Sequence, residues 1–174
     1  DLLTGKPAKS IVDRAADRDA DCVVVGRRGR SGVRERLLGS ITERVLRRSG
    51  PPVLTVPEGD IDDDTGTAYE DVLVTTDGSD LAADAGPYAA DLARRFEAVL
   101  HVLNAVDIQA EAGVFDAGGV DREYIERLET KGEKAIDDLL AALDTTDLDV
   151  REAVIRGHAP DVIGEYAADN DVDL

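Results

Sequence analysis

Gly26, Gly29, Gly39 and Ser40 stand in the spacing G-x2-G-x9-G-S, and their residue types suit the holding of a phosphate chain. Glycines let a backbone turn tightly and bring amide N–H groups close to phosphate oxygens. The run Cys22–Val25 ahead of Gly26 reads as a strand. Ser40 opens a helical pattern, Ser40-Ile41-Thr42-Glu43, with the form of a capping box and with Ile41 and Val45 as its buried face. That helix stops at Gly50-Pro51-Pro52, with Arg47 and Arg48 at its negative end. Strand, glycine loop and helix start, in that order, make a phosphate-binding arrangement. Charge points the same way. Between Gly26 and Ser49 eight arginines stand against Glu35 and Glu43, a net +6 in a chain of −18, so the remainder carries −24. An anionic ligand suits such a positive island, and pairing of the arginines with neighbouring acids is the competing reading.

A second constellation follows the run Val72–Thr75, where Thr76-Asp77-Gly78-Ser79 places a carboxylate just beyond a strand. Asp77 there is either a ligand group or the cap of a helix beginning near Leu81. His101 reads as a strand histidine and His158 as part of a surface loop before Pro160. No nucleophile–base arrangement, lysine-bearing phosphate loop or metal-ligand cluster is visible, so binding fits these residues better than catalysis.

Composition narrows the class further. A hydrophobic share of 43% over 174 residues suits a globular chain with a real core. With 38 acidic residues against 20 basic, general nucleic-acid binding is disfavoured. No apolar run approaches the ~20 residues of a membrane span, and no leader is visible, so a cytoplasmic protein without membrane contact is expected. The few lysines and many acids resemble proteins of salt-loving cytoplasms. Cys22 reads as a buried strand thiol with no disulfide or metal partner.

These residues must be positioned by short β-branched runs alternating with helical patterns. Strands are expected at Cys22–Val25, Val53–Val56, Val72–Thr75, Val99–Leu103 and Val150–Ile155. Helices are expected at Ile41–Arg48, Leu81–Phe96 and Arg122–Leu143. The pattern predicts an α/β fold, an open parallel five-stranded sheet with helices on both faces. An internal repeat runs through it: residues 5–22 align with 157–174 at a constant offset of 152. Ile11/Ile163, Ala15/Ala167, Ala16/Ala168, Asp17/Asp169, Asp19/Asp171 and Asp21/Asp173 are identical pairs, and Leu174 enters the next strand. Residues 58–69 read as an acidic linker. Residues 1–57 then form the back part of one domain and 70–174 the front part of the next, a window on a tandem protein. The five strands could join within one chain, because a connection of about 13 residues reaches roughly 40 Å, or by exchange between two chains.

The spacing Gly26-x2-Gly29-x9-Gly39-Ser40, with Leu37–Val45 around it and Pro52–Val56 after it, resembles the nucleotide-binding signature of the universal stress protein family. Val72–Ser79 resembles that family's first strand and aspartate, and His101-Val102-Leu103 its second strand. Thr75 stands where the family usually has proline. The resemblance implies a Rossmann-like fold of the adenine nucleotide alpha hydrolase kind and an ATP ligand, with or without Mg. It implies that Gly26, Gly29, Gly39 and Ser40 cradle the phosphates, with Arg27, Arg28 and Ile41 adjoining. Asp77 and Val102, with Thr76 alongside, would hold adenine and ribose. It also implies a regulatory or protective binding module that dimerises, the strand Val53–Val56 being the usual contact. A nucleotide-dependent enzyme of related fold and a structural domain with a degenerate site are the rival readings.

Overall fold

A computed structural model describes residues 4–26, 39–56, 69–108 and 122–174. The acidic linker and the loop carrying Arg27, Arg28 and Gly29 lie almost wholly outside them. The chain divides into two compact units, Asp1–Thr65 and Gly66–Leu174.

In the first unit, α1 (Pro7–Asp17), β1 (Val23–Gly26), α2 (Ser40–Leu46) and β2 (Val53–Val56) follow in order. The strands β1 and β2 are parallel, with Val23 opposite Val53 and Gly26 opposite Val56. Ala8 and Ala15 of α1 and Val45 of α2 pack with Val23 to form this unit's core. Side chains alternate across a strand, and the other face of this pair is open: Val24 is 62% exposed, and Leu54 and Val56 lie exposed on the same side. Continuous apolar runs therefore do not mean coverage on both faces here. Cys22 also departs from expectation. The first ladder bond is Val23 N–H to the Pro52 carbonyl, so the strand starts one residue later and Cys22 is exposed.

In the second unit, β3 (Asp71–Thr75) leads through α3 (Asp80–Ala83) and α4 (Gly86–Phe96) to β4 (Val99–Val106). The chain then passes through α5 (Arg122–Ala141) to β5 (Val150–Arg156) and α6 (Ala159–Asp169). All three strands are parallel in the order β3-β4-β5. On one face Val72, Val74, Leu100 and Val102 meet Ala89 and Ala93 of α4 and Ile136 and Leu139 of α5. On the other face His101, wholly buried, reaches Tyr166 of α6. Its Nε2 lies 2.7 Å from Asp71 Oδ1 and its Nδ1 2.9 Å from the Tyr166 hydroxyl, so both ring nitrogens are satisfied. His101 is thus a structural link between strand and helix, as a strand histidine should be.

The expected five-stranded sheet is not present; the strands form one sheet of two and another of three. The physical reason lies at the edge of β3. Its Leu73 N–H donates to the Leu174 carbonyl (2.7 Å), and its Asp71 carbonyl accepts from Asp173 N–H (3.0 Å), so residues 173–174 already occupy the start of that edge. Leu174 bonds to the edge of β3 without forming the strand that the repeat predicts. The repeat is also a backbone repeat. Gly5 and Gly157 have φ of 142° and 148°, Asp19 and Asp171 φ of 46° and 50°, and α1 and α6 span equivalent residues at the same offset of 152.

The helix Leu81–Phe96 is broken at Asp84–Ala85 into α3 and α4, where Gly86-Pro87 begins a new helix. Close packing explains one other glycine and not another. A methyl group on Gly132, in α5, would lie 2.5 Å from Asn104 Oδ1 and 3.1 Å from Val154 Cγ1, whereas one on Gly164, in α6, would meet nothing within 4 Å. Gly132→Ala should therefore lower stability by about 1–3 kcal/mol. Gly164→Ala should raise it by about 0.4–1 kcal/mol through helix propensity and reduced freedom of the unfolded chain. Urea unfolding of the two variants checks both signs.

Candidate functional site

The glycine signature meets the described structure at both of its ends. Gly26 is the last residue of β1, and Gly39-Ser40 begins α2. The helix starts one residue earlier than a capping box requires. Gly39, with φ −60° and ψ 143°, is the N-cap, its carbonyl accepts from Glu43 N–H (2.9 Å), and Ser40 is already the first helical residue. Ser40 thus sits inside the turn and makes no side-chain cap. The buried positions of α2 are Thr42 and Val45, while Ile41 is 43% exposed, so its expected place on the buried face is corrected.

Thr42 is the residue that the spacing alone did not single out. Its hydroxyl donates to the Gly26 carbonyl across 2.8 Å, although sixteen positions separate the two. This bond pins the end of β1 to the first turn of α2 and so fixes the two roots of the glycine loop. The signal in the sequence was a threonine, poor in helix propensity, three residues after Gly39. Arg27, Arg28 and Gly29 themselves fall outside the described residues.

The second constellation gathers at the ends of β3 and β4. Thr76 N–H makes the last rung to the Leu103 carbonyl (3.0 Å), and the buried Asn104 amide donates to the Thr76 carbonyl (2.7 Å). The Thr76 hydroxyl oxygen accepts from Gly78 N–H, and Gly78 has the φ of 81° that this turn demands. Asp77 Oδ1 accepts from Ser79 N–H (2.9 Å). The cap of α3 is Ser79, whose Oγ accepts from Ala82 N–H, so Asp77 is not that helix's cap. The Ser79 hydroxyl, followed by its backbone N–H, holds the Asp77 carboxyl below its ordinary value, against a small opposing effect of burial. The group's folded value is depressed. The stability it contributes is therefore complete at neutral pH and is lost only as acid carries the pH down through that lowered value.

Beside this turn lies a cleft of about 50 Å³, lined by Asp77, Asn104–Asp107, Leu128, Lys131 and Gly132. Its position, at the carboxyl ends of parallel strands, is where α/β proteins place ligands. Val102 does not line it; its side chain is wholly buried in the core. Asn104, Lys131 and Gly132 were not flagged by motif, because nothing in their spacing marks them before α5 is laid against β4. Among the described residues no three acidic, histidine or cysteine groups are placed to hold a metal ion. No helix there is long and apolar enough to cross a membrane.

Parallel strands joined by helices, with polar groups gathered at the carboxyl ends of the strands, define an α/β protein. The model of the universal stress protein family matches residues 1–57 and 68–174, and this chain belongs to that family. Two relatives from Methanocaldococcus jannaschii are universal stress proteins, MJ0531, 43% identical over 56 residues, and MJ0577, 40% identical over 55. Each alignment covers 32% of this chain, and 33% and 34% of the two relatives. The chain therefore spans about a third of the length of the curated relatives it matches. A universal stress protein from Archaeoglobus fulgidus superposes with a TM-score of 0.67 at 20% identity, over 99% of this chain and 55% of its own. At that identity the likeness speaks for the fold.

Thr42→Val keeps the side-chain shape and leaves the Gly26 carbonyl without its partner. It should cost about 1–2 kcal/mol, while Thr42→Ser should retain most of the stability. Chemical denaturation followed by amide exchange at Val25 and Gly26 tests this.

Proposed function

We propose that this protein binds an adenine nucleotide, ATP, as a stress-response binding module. The observation that carries the reading is the G-x2-G-x9-G-S spacing with its roots on a strand end and a helix start, tied by the Thr42–Gly26 bond. The first turn of a helix leaves N–H groups without intrahelical partners, and these suit phosphate oxygens. Gly26, Gly29, Gly39 and Ser40 would carry the phosphates, with Arg27 and Arg28 supplying charge and Ile41 adjoining. In the second unit, Asp77 would take a hydroxyl or amino donor of the ribose or adenine of a nucleotide held there, with Thr76 shaping its turn. Val102 could contribute only through its backbone.

Family membership supports this reading, and so does the net +6 of the stretch from Gly26 to Ser49. Mg, where it is bound, would enter on the nucleotide's own phosphate oxygens. A homodimer or exchanged dimer in a salt-rich cytoplasm, the chain representing parts of two consecutive family domains, completes the proposal. The open face of β1 and β2, with Val24, Leu54 and Val56 exposed, favours association. The protein acts by binding, with nucleotide occupancy biasing its conformation or assembly.

Titration with ATP tests the proposal. The unmodified chain should bind at a fixed stoichiometry, and Gly29→Val should weaken binding by at least about tenfold, since a branched side chain would obstruct close approach of the backbone to phosphate. Equal affinity of the two chains would remove the phosphate-loop assignment, and steady turnover of ATP would turn the reading toward an enzyme.

A further inference from the structure

We propose that Lys131 is a ligand-reading residue of the Asp77 cleft, and that it takes the phosphate nearest the ribose of a bound nucleotide. The inference rests on the nucleotide reading above and adds to it a residue outside the glycine and aspartate motifs.

The placement follows from α5. Leu128, Lys131 and Gly132 fall on one face of this helix at spacings of three and four, and all three line the cleft opposite Asp77 and Asn104. Gly132 makes this wall possible. Without a side chain there, α5 comes so close to β4 that an added methyl would collide with Asn104 Oδ1. The neighbouring lysine therefore leaves the helix at the cleft, where it is exposed. Its charge also reaches Asp77, adding to the effects that keep that carboxyl ionised.

Charge complementarity gives the lysine its task. Of the eight residues lining the cleft, Asp77 and Asp107 are acidic and Lys131 alone is basic. A neutral nucleoside could approach such a cleft by donating hydrogen bonds to the Asp77 carboxylate. A nucleotide brings a phosphate toward two carboxylates, and needs a cation at the same mouth to offset the repulsion. Lysine suits this role: its ammonium is a compact charge with three donors on a flexible stem. Lys131 is engaged by the protein itself in the free chain, so the phosphate would exchange one partner of the ammonium for a more highly charged one.

The test compares adenosine, AMP and ATP at fixed ionic strength, by calorimetric titration of the whole chain and of Lys131→Met and Lys131→Arg. Lys131 is exposed, and both variants should unfold at the same urea concentration as the original. Lys131→Met should weaken AMP and ATP by about five- to tenfold, leave adenosine unchanged, and lose part of the salt dependence. Lys131→Arg should restore most of the affinity. Equal loss for adenosine and AMP would overturn the phosphate role and leave Lys131 acting only on Asp77. Unchanged AMP binding in Lys131→Met would overturn it too, with the nucleotide reading intact. A chain that takes none of the three ligands would overturn that reading and this role together.

Discussion

The end of β3 depends on one buried hydrogen bond, from the Asn104 amide to the Thr76 carbonyl. At this point the strand must leave the sheet and turn toward α3, and a carbonyl that leaves a ladder inside a protein requires a new donor. A strand neighbour offers its amide only while the two strands run together. A side chain from β4 can follow the carbonyl outward, and asparagine has the right donor at the right length. Because a carbonyl can only accept, the amide nitrogen must face Thr76 and the oxygen must face away, toward Gly132. This orientation in turn requires the missing side chain at Gly132, and the close helix that results brings Leu128 and Lys131 to the cleft. The acidic turn, the amide and the facing wall of α5 therefore form one connected arrangement.

The first unit solves the same problem with a hydroxyl. There Thr42, from the helix after the strand, meets the carbonyl of Gly26 where β1 ends. In both units the backbone of a departing strand is held by a side chain from the element packed against it, and in both the residue that follows stands where chemistry is proposed. A short polar side chain fixes a loop root because its bond is directional, and at Thr76 its loss would leave a buried acceptor unpaired.

The legible and illegible parts of this structure divide along physical lines. Val53–Val56 was readable to the residue because a β-branched run between Pro52 and Pro57 leaves little freedom. The repeat was readable because the left-handed positions, glycine at 5 and 157 and aspartate at 19 and 171, are backbone demands written in residue type. The break between α3 and α4 was missed because Leu81–Phe96 was read as one helix through Gly86-Pro87, a pair that starts a new helix. The role of Ile41 was misjudged because burial depends on what covers a helix, and a seven-residue helix beside a two-stranded sheet has one covered side. Sheet membership was the least readable feature. A strand's composition says that it pairs, while its partner depends on which edge is already filled, as that of β3 is by residues 173–174. At the site, glycines and the aspartate were visible as types in a spacing, whereas Thr42, Asn104 and Lys131 acquire meaning only from a neighbour distant in sequence.

The electrostatics of the chain tie these parts to its chemistry. A net charge of −18 repels any polyanion at long range, and screening over roughly 8–10 Å at ordinary salt decides how much of that repulsion reaches a given point. Distant acids are screened, so recognition of a phosphate is governed by charges within a few ångströms of it. The chain answers this by concentration: eight of its basic residues fall between Gly26 and Ser49. High salt weakens the distant repulsion more than it weakens a close contact with phosphate. A nucleotide held as proposed would accordingly lose less affinity in concentrated salt on so acidic a chain than on a basic protein, whose long-range attraction is screened away.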